Sequence, residues 1–97
     1  MRPLARAIQS ALRTLGLEAD VARADAVRMW HAAAAEVLGA DAATTRAVRT
    51  DGETLVVLVP TAQWAGEIRL RERELLRALA DRAPASHITR LRCVPSS

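Results

Sequence analysis

The sequence predicts an α+β domain: two N-terminal helices, then a small three-stranded mixed sheet whose last strand follows a further helix. Three observations carry this prediction. Apolar residues recur at spacings of three and four between Leu4 and Leu38, the period of a helix buried along one side. Asp51-Gly52, a strong hairpin turn signal, divides a Thr- and Val-containing run from an unbroken one, Leu55 to Val59. A long amphipathic stretch then leads to a last β-rich run, Ile88 to Val94. The predicted order is α-α-β-β-α-β.

The first helix covers residues 3 to 15, with Leu4, Ile8, Leu12 and Leu15 on its stripe and Pro3 in a favoured first-turn position. Gly16 suits a left-handed C′ residue, with Leu17 as the apolar partner of that cap. The second helix starts near Asp20, as N-cap or first-turn acid, and ends at Gly39. It carries Val27, Trp30, Ala34, Val37 and Leu38 on one side, and the small Ala32 to Ala35 segment admits a close neighbour. Asp41 to Ala43 connects it to the first strand.

Thr44 to Thr50 is polar enough for an edge strand, while Glu53 to Val59 reads as a strand covered on both faces or nearly so. Pro60 removes a ladder donor and stops it, and Thr61 is placed to cap the next helix. That third helix runs from about Ala62 to Arg82 on a stripe of Trp64, Ile68, Leu75, Leu76 and Leu79. Arg71 and Glu72 fall near the middle of the stripe, so either the helix kinks between Leu70 and Arg73 or that turn projects beyond the core. Pro84 ends the helical region. A right-handed crossover makes the last strand parallel to its neighbour if the two are adjacent.

With 97 residues the chain is expected to be a single domain over 1–97, able to form a modest core without disulfides or metal. The lone Cys93 has no internal partner, and no signal peptide precedes the amphipathic start, which favours a reducing, cytoplasmic setting. No apolar run approaches the roughly 20 residues that span a bilayer, so no membrane partner is expected. The net charge is +3, and all 14 basic residues are arginine. Arginine's fork suits phosphate, but a genome rich in G and C also replaces Lys by Arg.

The inventory for catalysis is thin, and the chain is read as no enzyme. His31, His87 and Cys93 make neither a zinc spacing nor a convincing nucleophile and base, and no Gly-rich phosphate loop occurs. No cofactor or metal is called for. What remains is surface. Arg69, Arg73 and Arg77 repeat every four residues along one side of the third helix. Arg46 and Arg49 lie on the first strand, and Arg90 and Arg92 on the last. A phosphate backbone would suit these charges; the competing reading is that Glu74 and Asp81 partly neutralise the stripe and the rest keeps the protein soluble. Trp30 and Trp64 sit on apolar stripes and are assigned to packing before base stacking.

Taken together, several of these residues resemble the DciA family of bacterial proteins that load or operate the replicative helicase. They are a tryptophan helix (Trp30), a strand, the Asp-Gly turn, and Leu55-x-Val57-x-Val59. Trp64-Ala65-x-Glu67-Ile68 and Leu75-Leu76-x-x-Leu79 follow. The likeness covers roughly residues 4 to 94. It implies a KH-like, type II-like domain with affinity for DNA, a partnership with the hexameric helicase DnaB, and no ATPase. There are departures. Ala34-Ala35 stands where the family usually has Val-Gly, and the Gly-x-x-Gly loop of true KH domains is missing, Gly66 standing alone. The long disordered extension of many members is absent from these residues, so helicase contact is expected to fall on the globular domain or to be weaker, or the chain is a domain-only member.

The expected function is therefore a helicase loader or adaptor that touches single-stranded or forked DNA. Arg69, Arg73 and Arg77, then Arg46 and Arg49, are the expected DNA contacts, and the first helix with Arg6 and Arg13 is the expected partner surface. An RNA-binding KH-like module and a plain protein-interaction domain are the alternatives.

Overall fold

The computed structural model describes residues 17–96. Helix α1 (Leu17–Leu38) passes through a 3₁₀ turn (Gly39–Thr44) into strands β1 (Arg46–Asp51) and β2 (Thr54–Val59). Helices α2 (Ala62–Leu70) and α3 (Glu72–Arg82) follow, then a short 3₁₀ turn (Pro84–Ser86) and strand β3 (Arg90–Pro95). The sheet order is β1-β2-β3, with β1 antiparallel and β3 parallel to the central β2. The chain is thus an α+β domain with a mixed sheet, and β1 is an edge as its polarity suggested. The predicted first helix, with Gly16, lies outside the described residues.

One layer of helices covers one face of the sheet. Leu55, Val57 and Val59 point from β2 into a cluster with Ala26, Trp30, Ala33 and Ala34 of α1, Ile68 of α2, and Leu75, Ala78 and Leu79 of α3. Each fully buried leucine or isoleucine here contributes about 1.5–3 kcal/mol of transfer free energy. The alanines of α1 let α3 approach closely, and Ala33 and Ala34 are completely buried. Trp30 donates its indole N–H to Thr45 Oγ1 at 3.0 Å, and that hydroxyl donates to the Ala42 carbonyl at 2.7 Å. The largest core side chain thereby ties α1 to the start of β1. Trp30 packs, as its stripe implied.

Local signals acted where expected, with some shifts. Gly39, at φ +71°, ends α1 in the left-handed conformation. Thr61 caps α2, accepting from Trp64 N at 3.2 Å. The hairpin is displaced by one residue from the Asp51-Gly52 expectation: Asp51 pairs with Thr54 and closes the ladder, so Gly52 and Glu53 form the turn. Only Gly52 of the two has positive φ, +61°, the pattern of a type II′ turn with glycine in first place. The second helix begins earlier than Asp20, and the last strand begins two residues later than Ile88.

The expected single third helix is two helices. The chain breaks at Arg71 (φ −108°, ψ 16°), whose N–H is shared between the Glu67 and Ile68 carbonyls. The break resolves the conflict in the stripe, because Arg71 and Glu72 leave the core and become ties. Arg71 donates to the Val37 carbonyl in the last turn of α1 at 3.0 Å and pairs with Glu67 at 3.2 Å. Glu72 accepts the Leu91 N–H of β3 at 2.8 Å. Leu70, just before the break, projects with 83% of its surface exposed. Both sequence alternatives, a kink and a projecting turn, hold at once.

Candidate nucleic-acid interface

No described helix packs on the second face of the sheet. Side chains of paired residues share a face, so the register states what it carries. Arg49, Val56 and Arg92 form one row across the sheet; Asp51, Thr54 and Arg90 form the row beside it; Arg46, Leu58 and Val94 form the row on the other side. All four arginines are exposed.

A β-bulge makes this arrangement possible. Arg46 and Arg49 are three residues apart, and in a regular strand that spacing would put them on opposite faces. The register shifts between Ala47 and Arg49, leaving Val48 unpaired, so both arginines share a face while Ala47 and Thr50 turn toward the helices. On β3 simple alternation does the same for Arg90 and Arg92. Val56, in register between Arg49 and Arg92, is fully buried; arginine stems can lie along apolar surface while their heads stay in water.

The four arginines surround Val56 with Asp51 as the acid among them, its carboxylate 3.5 Å from Arg92. Both partners are largely exposed, so that ion pair contributes little. Nor does the clustering cost much. Arg49 and Arg92 flank one strand, about 10 Å apart, where two like charges in water repel by roughly 0.4 kcal/mol before salt screening. Such a surface persists unaided, yet its summed field favours a polyanion.

Of the residues expected to contact DNA, the structure brings together Arg46 and Arg49 and adds Arg90 and Arg92, but it divides the helix stripe. Arg69 lines a groove of about 840 Å³ between α2 and β3, shared with Arg90 and Arg92. Arg73 and Arg77 line a different groove, between α1 and α3, with Glu36, Glu74 and Asp81. The expected continuous stripe fails because the helix breaks at Arg71, and the part on α3 meets three carboxylates. Arg6 and Arg13 lie outside the described residues. The signal that could have singled out the sheet face was present: Arg90 and Arg92 alternate, and Arg46 and Arg49 bracket a Val that a bulge can expel.

Other candidates carry no chemistry. Burial pushes the Cys93 thiol above its ordinary pKa and Glu72 adds to this, against an opposing pull from the Arg69 guanidinium. A thiol held protonated is a poor nucleophile. His87 lines a separate groove beside the Pro84–Ser86 turn. Among the described residues no group of three His, Cys, Asp or Glu side chains could hold a metal ion, and no helix is long and apolar enough to cross a membrane.

The family model described as "Dna[CI] antecedent, DciA" matches residues 3–93, nearly the whole length. The chain belongs to the DciA family. Membership places it among loaders and adaptors of the replicative helicase, with a role in DNA replication and a partnership with DnaB. No curated protein matches the chain. The matched span includes every described helix and nearly all of the sheet, so the arginine face belongs to the family domain itself.

Proposed function

We propose that this protein is a non-enzymatic, cytoplasmic loader or adaptor of DnaB that holds single-stranded or forked DNA on the arginine face of its sheet. The observation that carries the DNA reading is the bulge at Val48, which sets Arg46 and Arg49 beside Arg90 and Arg92 on a face no described helix covers. Arg69 extends this surface around the β3 edge. The order α-β-β-α-α-β, with β2 and β3 parallel, supports a KH-like, type II-like grouping. The Gly-x-x-Gly loop by which KH domains clamp a nucleic-acid backbone is missing, so the contact proposed here departs from that mode and rests on arginines carried by strands. Helicase binding is assigned to the globular domain.

Fluorescence anisotropy with labelled single-stranded, forked and RNA oligomers, measured across a salt series, tests the DNA reading. Replacing Arg46, Arg49, Arg90 and Arg92 by Ala should weaken binding at least tenfold. It should also flatten the salt dependence by about 0.7 in logarithmic slope for each phosphate no longer neutralised. Replacing Arg73 and Arg77 should change little. Equal weakening by both sets would remove the sheet-face assignment, and preference for RNA would move the reading to an RNA module. Light-scattering chromatography with DnaB from the same organism tests the partnership: absence of a complex at micromolar concentrations would overturn helicase binding by this domain.

A further inference from the structure

The two edges of the sheet are protected unequally. The β1 edge is broken by its bulge, a device that blunts strand edges. On β3, the N–H of Leu91 turns away from β2 to meet Glu72, so by alternation the Cys93 N–H and the carbonyls of Leu91, Cys93 and Pro95 face outward too. Glu72 closes this edge at Leu91, and Pro95 offers no donor at the far end. Between them the edge opens into the α2–β3 groove, where Cys93 forms part of the wall.

The opposite wall carries an unexplained glycine. Gly66 lies inside α2 with ordinary φ, and a Cβ built there would meet nothing within 4 Å. A mid-helix glycine destabilises its helix relative to alanine, and no described neighbour requires it. Its place beside the open strand edge does, if another backbone passes between α2 and β3. A strand added to β3 would direct alternate side chains to the open face, beside Arg90 and Arg92, and the others under α2. There Ala65 and Gly66 leave room and Arg69 stands ready. Three guanidiniums against the Glu72 carboxylate fit an acidic segment.

We propose that the β3 edge and the α2–β3 groove bind an extended acidic peptide of a partner protein by strand addition, the backbone pairing at Cys93 and the charges pairing with Arg69, Arg90 and Arg92. The outward Cys93 N–H and the carbonyls beside it offer a donor and acceptors in strand register, which a peptide backbone matches and a phosphate chain, with acceptors only, does not. The groove shares Arg69, Arg90 and Arg92 with the DNA surface, but Gly66 and Cys93 belong to the groove alone and Arg46 and Arg49 to the sheet face alone, so variants at those positions tell the two apart.

The probe is a fluorescent ten-residue peptide alternating valine and glutamate, titrated into the full chain at low salt, with amide hydrogen exchange followed by NMR. Saturation should slow exchange of the Cys93 amide at least tenfold and leave the β1 amides unchanged. Gly66→Leu should weaken the peptide at least tenfold without lowering Tm. Cys93→Pro removes the outward N–H together with a thiol packed on the core. It is read against Cys93→Ala, which keeps the N–H and should bind as the native chain does while Cys93→Pro binds weakly. Replacing Arg46 and Arg49 by Ala, neither of which lines the groove, should weaken DNA binding and leave the peptide affinity in place. Unchanged Cys93 exchange at saturation, full affinity in Gly66→Leu, or equal binding of a valine–lysine peptide would each overturn the proposal. Protection of Cys93 by oligo-dT but not by the peptide would give the groove to nucleic acid instead.

Discussion

The two faces of the sheet are cut from the same three strands and serve opposite ends. One face carries Leu55, Val57 and Val59 into the helices, where each side chain is shielded from solvent. The other carries Arg46, Arg49, Arg90 and Arg92, all exposed. Alternation alone separates the faces on β2 and β3, but on β1 it fails by one residue and the Val48 bulge restores it. Stability is concentrated on the first face and charge on the second, so changes on the second should alter binding while leaving the fold intact.

The largest effect should come from breaking the buried face. Leu55→Ala leaves a cavity beneath the helices and should lower unfolding free energy by about 2–5 kcal/mol, against a change within about 0.5 kcal/mol for Arg49→Ala, both read from urea melts. Comparable destabilisation in the two variants would dissolve the distinction between the faces. Deleting Val48 tests the device that joins them. The deletion removes the bulge and leaves Arg46, Ala47 and Arg49 as a regular run, in which spacing by two keeps both arginines on one face opposite Leu58 and Val56. DNA affinity should therefore stay near that of the native chain, and hydrogen exchange of the β1 amides should keep the native pairing. A loss of DNA affinity as large as that of Arg46→Ala would show that the bulge does more than offset the odd spacing.

The smallest effect is a titration. Cys93 sits half-buried with its pKa raised by burial, so the fold favours the neutral thiol. Its contribution is fully present below the unfolded thiol pKa of about 8.5 and disappears as pH rises through the higher folded value. The chain has no tyrosine and no lysine, and arginine keeps its charge, so little else titrates in that window. Tm should therefore decline on the alkaline side of pH 8.5 in the native chain and stay level in Cys93→Ala. A parallel decline in both would assign the effect elsewhere.

Much of this was legible in the residues. Pro60, Thr61, Gly39 and the apolar spacings act within a few positions of themselves, and they fixed element type and approximate ends. The turn slipped by one residue because Asp51 and Gly52 both tolerate turn geometry, and ladder pairing with Thr54 chose between them. The helix stripe of Arg69, Arg73 and Arg77 looked continuous because spacing by four assumes an unbroken helix. The break at Arg71 depends on partners far away in sequence: the Val37 carbonyl for Arg71, and the Leu91 N–H for Glu72.

The α+β order, the family and the core were already specified along the chain, because periodicity, caps and turn residues are local and the hydrophobic effect follows composition along each face. Which arginines stand together was settled only on folding. Their grouping depends on a bulge, a helix break and a strand register, and the two ties at the helix break alone join residues 34 and 19 positions apart. No spacing rule spans such distances. The physical reason is that a face is a property of paired strands, and pairing exists only once the chain has folded.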